Sequence, residues 1–266
     1  MNAENERLTF DKAASVYDSS PFFPICGRRL ADLAEVQPGS RVLDIATGTG
    51  AVLFYLAEET GPTGHVTGID FAAGMVATAA AKIEQRGVQN ADVRQMSAEA
   101  LDFATDSFDA ATCGFALWFI PDMARALSEA FRVLRSGSRF AVSVWGQPAE
   151  ELGRRHNQLM VEYGANVPDR SGHVLTTAEA VVALLQQAGF SIAYAADEVV
   201  SVVYADAEEW WSQRMSGLQL NALTIPADGQ ERFKQAALTM AREYMQADGI
   251  HQARTAAFVV GVKPAP

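Results

Sequence analysis

Short apolar runs alternate with helical segments along the first half of the chain. Strand-like runs lie at 41–46, 65–70, 93–96, 108–115 and 139–145, and helical periodicity fills 51–59, 72–85 and 123–134. This alternation is typical of right-handed βαβ crossovers. It predicts an α/β fold with a doubly wound, mostly parallel sheet.

Beyond residue 146 the pattern is less regular. Helices are predicted at 150–163 and 177–188, strands at 192–204 and 256–262, and about fifty residues between those strands are helical in character. The whole pattern predicts a Rossmann-like sheet of seven strands with a helical cap. The expected division is N-terminal lid helices (1–29), a core (30–146, continued in 177–204), cap insertions (147–176 and 205–251), and a last core strand with a tail (252–266).

Composition and charge narrow the classes of partner. Hydrophobic residues make up 49% of the chain and charged residues 20%, as in a globular protein, and the net charge is −11. Such an acidic chain gains nothing from counterion release on nucleic acid and is repelled by anionic lipid, so neither partner is expected. No apolar signal segment, membrane-spanning run, metal-ligand cluster or disulfide spacing is recognisable, which favours a cytoplasmic protein without a metal.

A glycine loop carries the strongest local signal. Gly48 and Gly50 lie where the strand at 41–46 turns into a helix, and glycines there allow a ligand to approach the backbone. The dinucleotide fingerprint would place a third glycine where Leu53 stands, which counts against a nicotinamide cofactor. Asp44 would repel a pyrophosphate, but it could orient an ammonium group directly or through the loop. Asp70 ends the next strand, where it could accept both ribose hydroxyls or only cap the following helix.

Six segments in order resemble class I S-adenosylmethionine (SAM)-dependent methyltransferases, above all the ubiquinone/menaquinone-biosynthesis methyltransferase group. They are VLDIATGTG at 42–50, GIDFAAGM at 68–75, SAEAL at 97–101, SFDA at 107–110, FALWFIPD at 115–122 and RVLRSG at 132–137. Ser97 stands where the family usually has an acid near the adenine. Residues 136–138 read Ser-Gly-Ser in place of the usual Pro-Gly-Gly. Trp118 and Phe119 replace an Arg-Asn pair common in the quinone enzymes, which puts a respiratory-quinone acceptor in doubt.

The resemblance implies SAM as cofactor and assigns residues to its parts. The methionine portion would be held by the first motif and the ribose by Asp70. Tyr17 of a predicted lid helix could reach the methionine carboxylate, with a plain core position as the alternative. The adenine would lie against Phe71 and Met75 and along Ser97, Ala98 and Glu99, and the backbone of Gly114, Phe115 and Ala116 would run beneath the sulfonium. The residues expected around the methionine portion are Tyr17, Asp44, Ala46, Thr47, Gly48, Thr49 and Gly50.

The acceptor is expected to be a small molecule. The predicted cover segments and strand ends carry many large apolar side chains, which suit a flat, apolar acceptor or simply pack the cap onto the core. These residues are Phe22, Phe23, Trp118, Trp145, Trp210, Trp211 and Met215. His156 is the candidate general base, with a surface position as the alternative.

Methyl transfer to an O, N or C atom of an aromatic or polyketide-like metabolite of secondary metabolism is the favoured function. The alternatives are a SAM-binding protein with other chemistry or a sensing role, a nicotinamide oxidoreductase, and a protein or nucleic-acid methylase. The sequence leaves open whether the protein is a monomer or a homodimer.

Overall fold

A computed structural model describes residues 10, 11, 14, 18, 20–146, 151–165, 175–216 and 224–265. Within them eight strands form one sheet. They are β1 (Arg41–Ile45), β2 (His65–Asp70), β3 (Ala91–Gln95), β4 (Phe108–Gly114), β5 (Leu134–Trp145), β6 (Ser191–Tyr204), β7 (Met245–Gln246) and β8 (Gly249–Val262). The sheet order is β3-β2-β1-β4-β5-β8-β6, with β7 paired to β8.

The direction of the strands confirms the predicted fold class. The five strands β1 to β5 are parallel, whereas β8 runs antiparallel to both β5 and β6. The short β7 makes the eighth strand where seven were expected, and it forms a hairpin with the start of β8. The strand order runs outward from β1 to β3 on one side and from β4 to β5 on the other, so it reverses between β1 and β4. Such a reversal places a ligand crevice outside the carboxyl ends of these two strands.

Eight α-helices are described. They are α1 (Phe22–Ala34), α2 (Leu53–Thr60), α3 (Ala73–Arg86), α4 (Met123–Val133), α5 (Glu151–Glu162), α6 (Ala178–Gln187), α7 (Ala207–Ser216) and α8 (Ala227–Arg242). The helices α1 and α2 pack on one face of the sheet, and α4 and α6 pack on the other. Both faces of the central strands are therefore covered, and nearly every residue of β1 and β2 is buried.

β8 begins at Gly249, seven residues before the predicted start at 256, and the cap helices pack on this additional part of the strand. Its first half pairs with β6 beyond the end of β5, from Glu198 opposite Ala256 to Tyr204 opposite Ile250. The helices α5, α7 and α8 pack on this two-stranded ribbon through a buried cluster that includes Leu152, Trp210 and Leu238. In the described part of the chain, no helix is long and apolar enough to cross a membrane.

Candidate functional site

A cavity of about 460 Å³ opens at the carboxyl ends of β1, β2, β3 and β4. This volume lies within the range of small-molecule sites, and the place is the crevice that the strand order predicts. Eleven residues predicted to bind the cofactor line it: Ala46, Gly48, Asp70, Phe71, Met75, Ser97, Ala98, Glu99, Gly114, Phe115 and Ala116. The structure therefore brings together residues from four separate sequence motifs.

The turn after β1 depends on left-handed backbone at three positions. Ala46, Gly48 and Gly50 have φ angles of 54°, 55° and 93°, a region that glycine adopts without the steric cost other residues meet. A Cβ atom on Gly50 would also lie 2.7 Å from Cε2 of Phe54. The loop therefore needs its glycines to follow the path that exposes Gly48 to the cavity.

Asp44 lies beneath this loop with both carboxylate oxygens engaged. Its Oδ2 accepts from the Thr47 hydroxyl at 2.6 Å and its Oδ1 accepts from the Thr112 hydroxyl at 2.7 Å. Burial raises the pKa of Asp44 to about 6, although the two hydroxyl bonds oppose that shift. Because Asp44 is bonded to Thr47 of the loop, the geometry favours an action through the loop.

Asp70 has the capping role that the sequence offered as one alternative, and it also lies at the cavity where the ribose is expected. Its Oδ1 accepts from the backbone N–H of Ala72 at 2.9 Å, at the start of α3, and its Oδ2 accepts from the N–H of Gly48 at 2.9 Å. The carboxyl group also lines the cavity while only 6% of the residue is exposed. Burial raises its pKa, against the effect of the backbone N–H donors.

One end of the cavity forms an apolar slot with a polar edge. Phe71 and Met75 line the slot, and Ser97 accepts from the backbone N–H of Glu99 at 3.2 Å along the edge. Glu99 in turn accepts from the backbone N–H of Asp122 at 2.7 Å, which fixes the edge to the start of α4. Ser97 therefore supports the loop where the family usually has an acid.

Sequence reasoning missed several lining residues: Phe10, Ile69, Gln95, Met96, Ile120 and Pro121. Phe10 matters most, because its ring lies 5.0 Å from that of Phe119 and 6.1 Å from that of Phe71. The neighbouring Asp11 accepts from the N–H of Gly74 at 2.7 Å. A Cβ on Gly74 would lie 2.9 Å from the Asp11 carbonyl oxygen, so the glycine in GIDFAAGM was a usable signal for this contact.

Three of the predicted loop residues do not line the cavity: Thr47, whose hydroxyl bonds Asp44, and beyond it Thr49 and Gly50. The Thr49 hydroxyl donates to Asp18 at 2.5 Å, and the Thr49 carbonyl accepts from Lys82 at 2.9 Å. Gly50 faces the ring of Phe54. Both were expected to touch the cofactor, but the loop turns them towards the N-terminal segment and α2. The predicted Tyr17 lies outside the described residues.

Three residues of the predicted acceptor set form one aromatic wall with Phe115, which was predicted beside the cofactor; we define this wall as Phe22, Phe23, Phe115 and Trp145. The Trp145 ring stacks on that of Phe115 at 4.0 Å, and the rings of Phe22 and Phe23 lie 6.2 and 6.1 Å from it. Phe115 belongs both to this wall and to the cavity. Trp118 packs against the same buried cluster as the wall and against Phe119, with the Trp118 and Phe119 rings 5.2 Å apart.

The two tryptophans of α7 were misplaced by the sequence prediction. Trp210 is fully buried beneath the cap helices, and the Trp211 ring packs 5.4 Å from that of Phe233 on α8. They hold the cap helices together, as the packing alternative stated. The side chain of Met215 lies outside the described part of the structure.

The candidate base His156 was also placed wrongly. Its ring is fully buried between Trp210 and Phe233, at 5.3 and 5.6 Å, and its Nδ1 accepts from Nε of Arg214 at 2.9 Å. Burial, followed by the charges of Arg214 and Arg254, holds its pKa well below the usual value. It shares the buried stripe of α5 with Leu152 and Met160, and that i, i+4 spacing signalled an interior position.

The cavity fits the parts of SAM. It offers an acid for the ribose, an apolar slot with a polar edge for adenine, and a loop held by Asp44 for the methionine portion. Within the described residues, no group of three or more His, Cys, Asp or Glu side chains could hold a metal ion.

Comparison with known proteins agrees with this geometry. A family model described as the ubiE/COQ5 methyltransferase family matches residues 25–180. Aklanonic acid methyltransferase of Streptomyces sp. strain C5 is 41% identical over 134 residues, covering 50% of this chain and 61% of that protein. A demethylmenaquinone methyltransferase of Listeria welshimeri is 39% identical over 116 residues, covering 44% of this chain and 49% of that protein.

A solved structure extends the likeness of the fold over most of the chain. The YcgJ protein of Bacillus subtilis has a TM-score of 0.58 at 21% identity, over 90% of this chain and 97% of its own. The matches to the two curated relatives span about half to three-fifths of their lengths. Since the family model covers more than half of this chain, the chain belongs to the ubiE/COQ5 methyltransferase family, and its cofactor is S-adenosyl-L-methionine.

Proposed function

We propose that the protein transfers a methyl group from SAM to an O, N or C atom of a small aromatic or polyketide-like acceptor. One observation carries the proposal: a cavity that fits SAM is also lined by Phe115 and Phe119, two rings that would suit a flat acceptor. The named relatives act on small molecules, which supports the same substrate class.

Each end of the cavity would hold a different part of the cofactor. The loop from Ala46 to Gly48, stiffened by the Asp44–Thr47 hydrogen bond, would face the methionine portion. Asp70 would accept from the ribose hydroxyls through lone pairs not used by its two backbone donors. The adenine would lie in the slot between Phe71 and Met75.

The bound cofactor supplies an electrophilic methyl group on a sulfonium. In the transfer, the acceptor atom forms the new bond to the methyl carbon, the carbon–sulfur bond breaks with its electron pair going to sulfur, and any proton on the acceptor passes to solvent. The protein's residues must align the acceptor and exclude water, and no protein nucleophile is needed. The turn at Phe115, whose φ is 53°, places its ring between the cavity and Trp145.

The cover segments complete the proposal. We assign residues 1–29 to a lid, because Phe10 packs on the adenine end and Asp18 is bonded to Thr49 and Lys82. We assign residues 147–176 and 205–251 to a cap, because the helices described within these ranges, α5, α7 and α8, pack on the ribbon of β6 and β8. The charge of −11 argues against nucleic-acid and membrane partners.

Mass spectrometry tests the function directly. The purified protein is incubated with SAM and a panel of phenols, quinols, indoles and aromatic acids, and S-adenosylhomocysteine is measured together with any product heavier by one methylene. Equal amounts of both are expected for an accepted compound. SAM binding without either signal for any compound would favour the alternative of a SAM-binding protein with other chemistry.

A further inference from the structure

A second, smaller cavity continues from the cofactor cavity behind the loop that follows β1. The two cavities share the residues at their junction, which are Ala46, Gly48, Gly114 and Phe115. The volume of the smaller one is about 30 Å³, close to the roughly 30 Å³ that one water molecule occupies in the liquid. It therefore has room for a single small polar group, such as an ammonium group, and not for a ring.

The hydroxyl of Ser143, on β5, lies at this smaller cavity. Ser143 is fully buried, and among the described residues its Oγ has no hydrogen-bond partner. A Cβ atom on Gly114 would lie 3.8 Å from this Oγ, so the absence of a side chain on Gly114 leaves the hydroxyl open to the cavity. Because a buried hydroxyl without a partner costs free energy, a ligand group that bonds Ser143 relieves that cost.

The surroundings of this hydroxyl favour a cation. Asp44 lines the smaller cavity, and within the described structure no Lys, Arg or His side chain does so. The Cys26 thiol also lines it and stays neutral, because burial raises its pKa to about 12. Both Asp44 oxygens already accept from threonine hydroxyls. Asp44 thus supplies negative charge, whereas the Ser143 oxygen is the acceptor for a direct contact.

The helix α1 closes the smaller cavity on the side away from the sheet. Cys26, Gly27 and Leu30 of this helix line it. A Cβ atom on Gly27 would overlap the carbonyl oxygen of Ala51, so the helix lies directly against the backbone that follows the loop. Such close packing keeps water out, and hydrogen bonds and charge interactions are stronger where water is excluded.

We propose that Ser143 binds the methionine end of SAM, with its hydroxyl oxygen accepting a hydrogen bond from the cofactor's ammonium group in the smaller cavity. Asp44 attracts the same ammonium group by its charge. By fixing this end of the cofactor, the contact also helps to fix the direction in which the methyl group points. The inference rests on the placement of SAM proposed above and is independent of the identity of the acceptor.

Calorimetry with S-adenosylhomocysteine and two of its analogues tests the inference without turnover. One analogue lacks the carboxylate and keeps the ammonium group, and the other lacks the ammonium group and keeps the carboxylate. S-adenosylhomocysteine and the first analogue should bind Ser143→Ala roughly tenfold or more weakly than the wild type, as loss of a hydrogen bond to a charged group implies. The second analogue should bind both proteins equally.

Two further variants complete the test. Ser143→Cys places sulfur, a weak acceptor, at the same position and should show the same selective loss. The matched control is Ser138→Ala on the other end of β5, where the hydroxyl donates to the Phe108 carbonyl at 3.4 Å. It should bind all three ligands as the wild type does.

Unchanged binding of S-adenosylhomocysteine in Ser143→Ala would overturn the inference. So would an equal loss for all three ligands, because a purely structural role of Ser143 would not distinguish the ammonium group from the carboxylate. The expected pattern in a protein that transfers no methyl group would leave this contact standing and refute the proposed function instead.

Discussion

Replacing Asp70 by asparagine changes two functions of one side chain. The carboxylate accepts a 2.9 Å hydrogen bond from Gly48 in the loop and another from Ala72 at the start of α3. Asparagine has the same shape but only one acceptor oxygen, so its NH₂ group would face one of these two N–H donors. The loop and the helix can no longer both be held.

The size of the effect follows from these bonds. Hydrogen bonds to a charged group contribute about 1.5–3 kcal/mol each. Loss of the charged acceptor for the ribose should therefore weaken SAM binding by roughly 10- to 150-fold. The loss of one buried backbone bond should lower the free energy of unfolding by about 1–3 kcal/mol, with part of this offset because a buried charge is removed.

Calorimetry of SAM binding and urea unfolding of Asp70→Asn measure both effects. The matched control is Asp92→Asn, one strand away, where the carboxylate bonds His65, Thr67 and Arg94 and does not line the cavity. That variant should lose stability while its SAM affinity stays unchanged. Wild-type affinity in Asp70→Asn would refute the assignment of the ribose site.

Three further predictions use other parts of the structure. Burial raises the pKa of Asp44 to about 6, so the folded protein binds the Asp44 proton more tightly than the unfolded chain does. The free energy of unfolding therefore decreases as pH rises from about 4 to 6, by about 3 kcal/mol over the whole range. Asp44→Asn should lack this term in urea unfolding across that range. His156 has the opposite effect on the pH dependence of stability, because its pKa is lowered in the folded protein. Below about pH 6.5 the unfolded chain takes up a proton that the folded protein does not, so the free energy of unfolding falls. His156→Phe should therefore show a smaller fall in that free energy between about pH 7 and 5. Asp18→Ala removes the bonds to Thr49 and Lys82, and stopped-flow fluorescence should show S-adenosylhomocysteine leaving about two- to tenfold faster, as loss of a hydrogen bond implies; an unchanged rate would contradict the lid.

The sheet and cofactor cavity could be predicted because their signals are local. β1, β2 and β4 are short strands rich in buried residues that each end at a turn, and parallel strands bring those ends to one edge. The first half of β8 could not be recognised in this way, since His251, Gln252 and Arg254 interrupt its apolar pattern. Its partner is β6, far away in the chain, and only the folded structure reveals the ribbon that carries the cap.

The positions of side chains within the cap show the same limit. His156 was interpreted by its chemistry as a base, yet its place on the stripe of Leu152 and Met160 decides its role. Trp211 was interpreted as an acceptor contact, but α8 supplies Phe233 as its partner. Residue type indicates what a group can do, whereas its neighbours depend on helix packing that no local pattern encodes.

The third glycine of the dinucleotide fingerprint is missing from the loop, yet the close packing that it would permit is present. In the dinucleotide fingerprint that glycine permits close contact between helix and strand. Here Leu53 stands at that position, and the glycine is found on the strand instead, since a Cβ on Gly68 of β2 would lie 2.7 Å from Leu53 Cδ1 and 2.9 Å from Thr47 Cγ2. The close contact is therefore kept with the two residue sizes exchanged. It follows that the argument against a pyrophosphate rests on the charge of Asp44 beneath the loop, and not on looser packing.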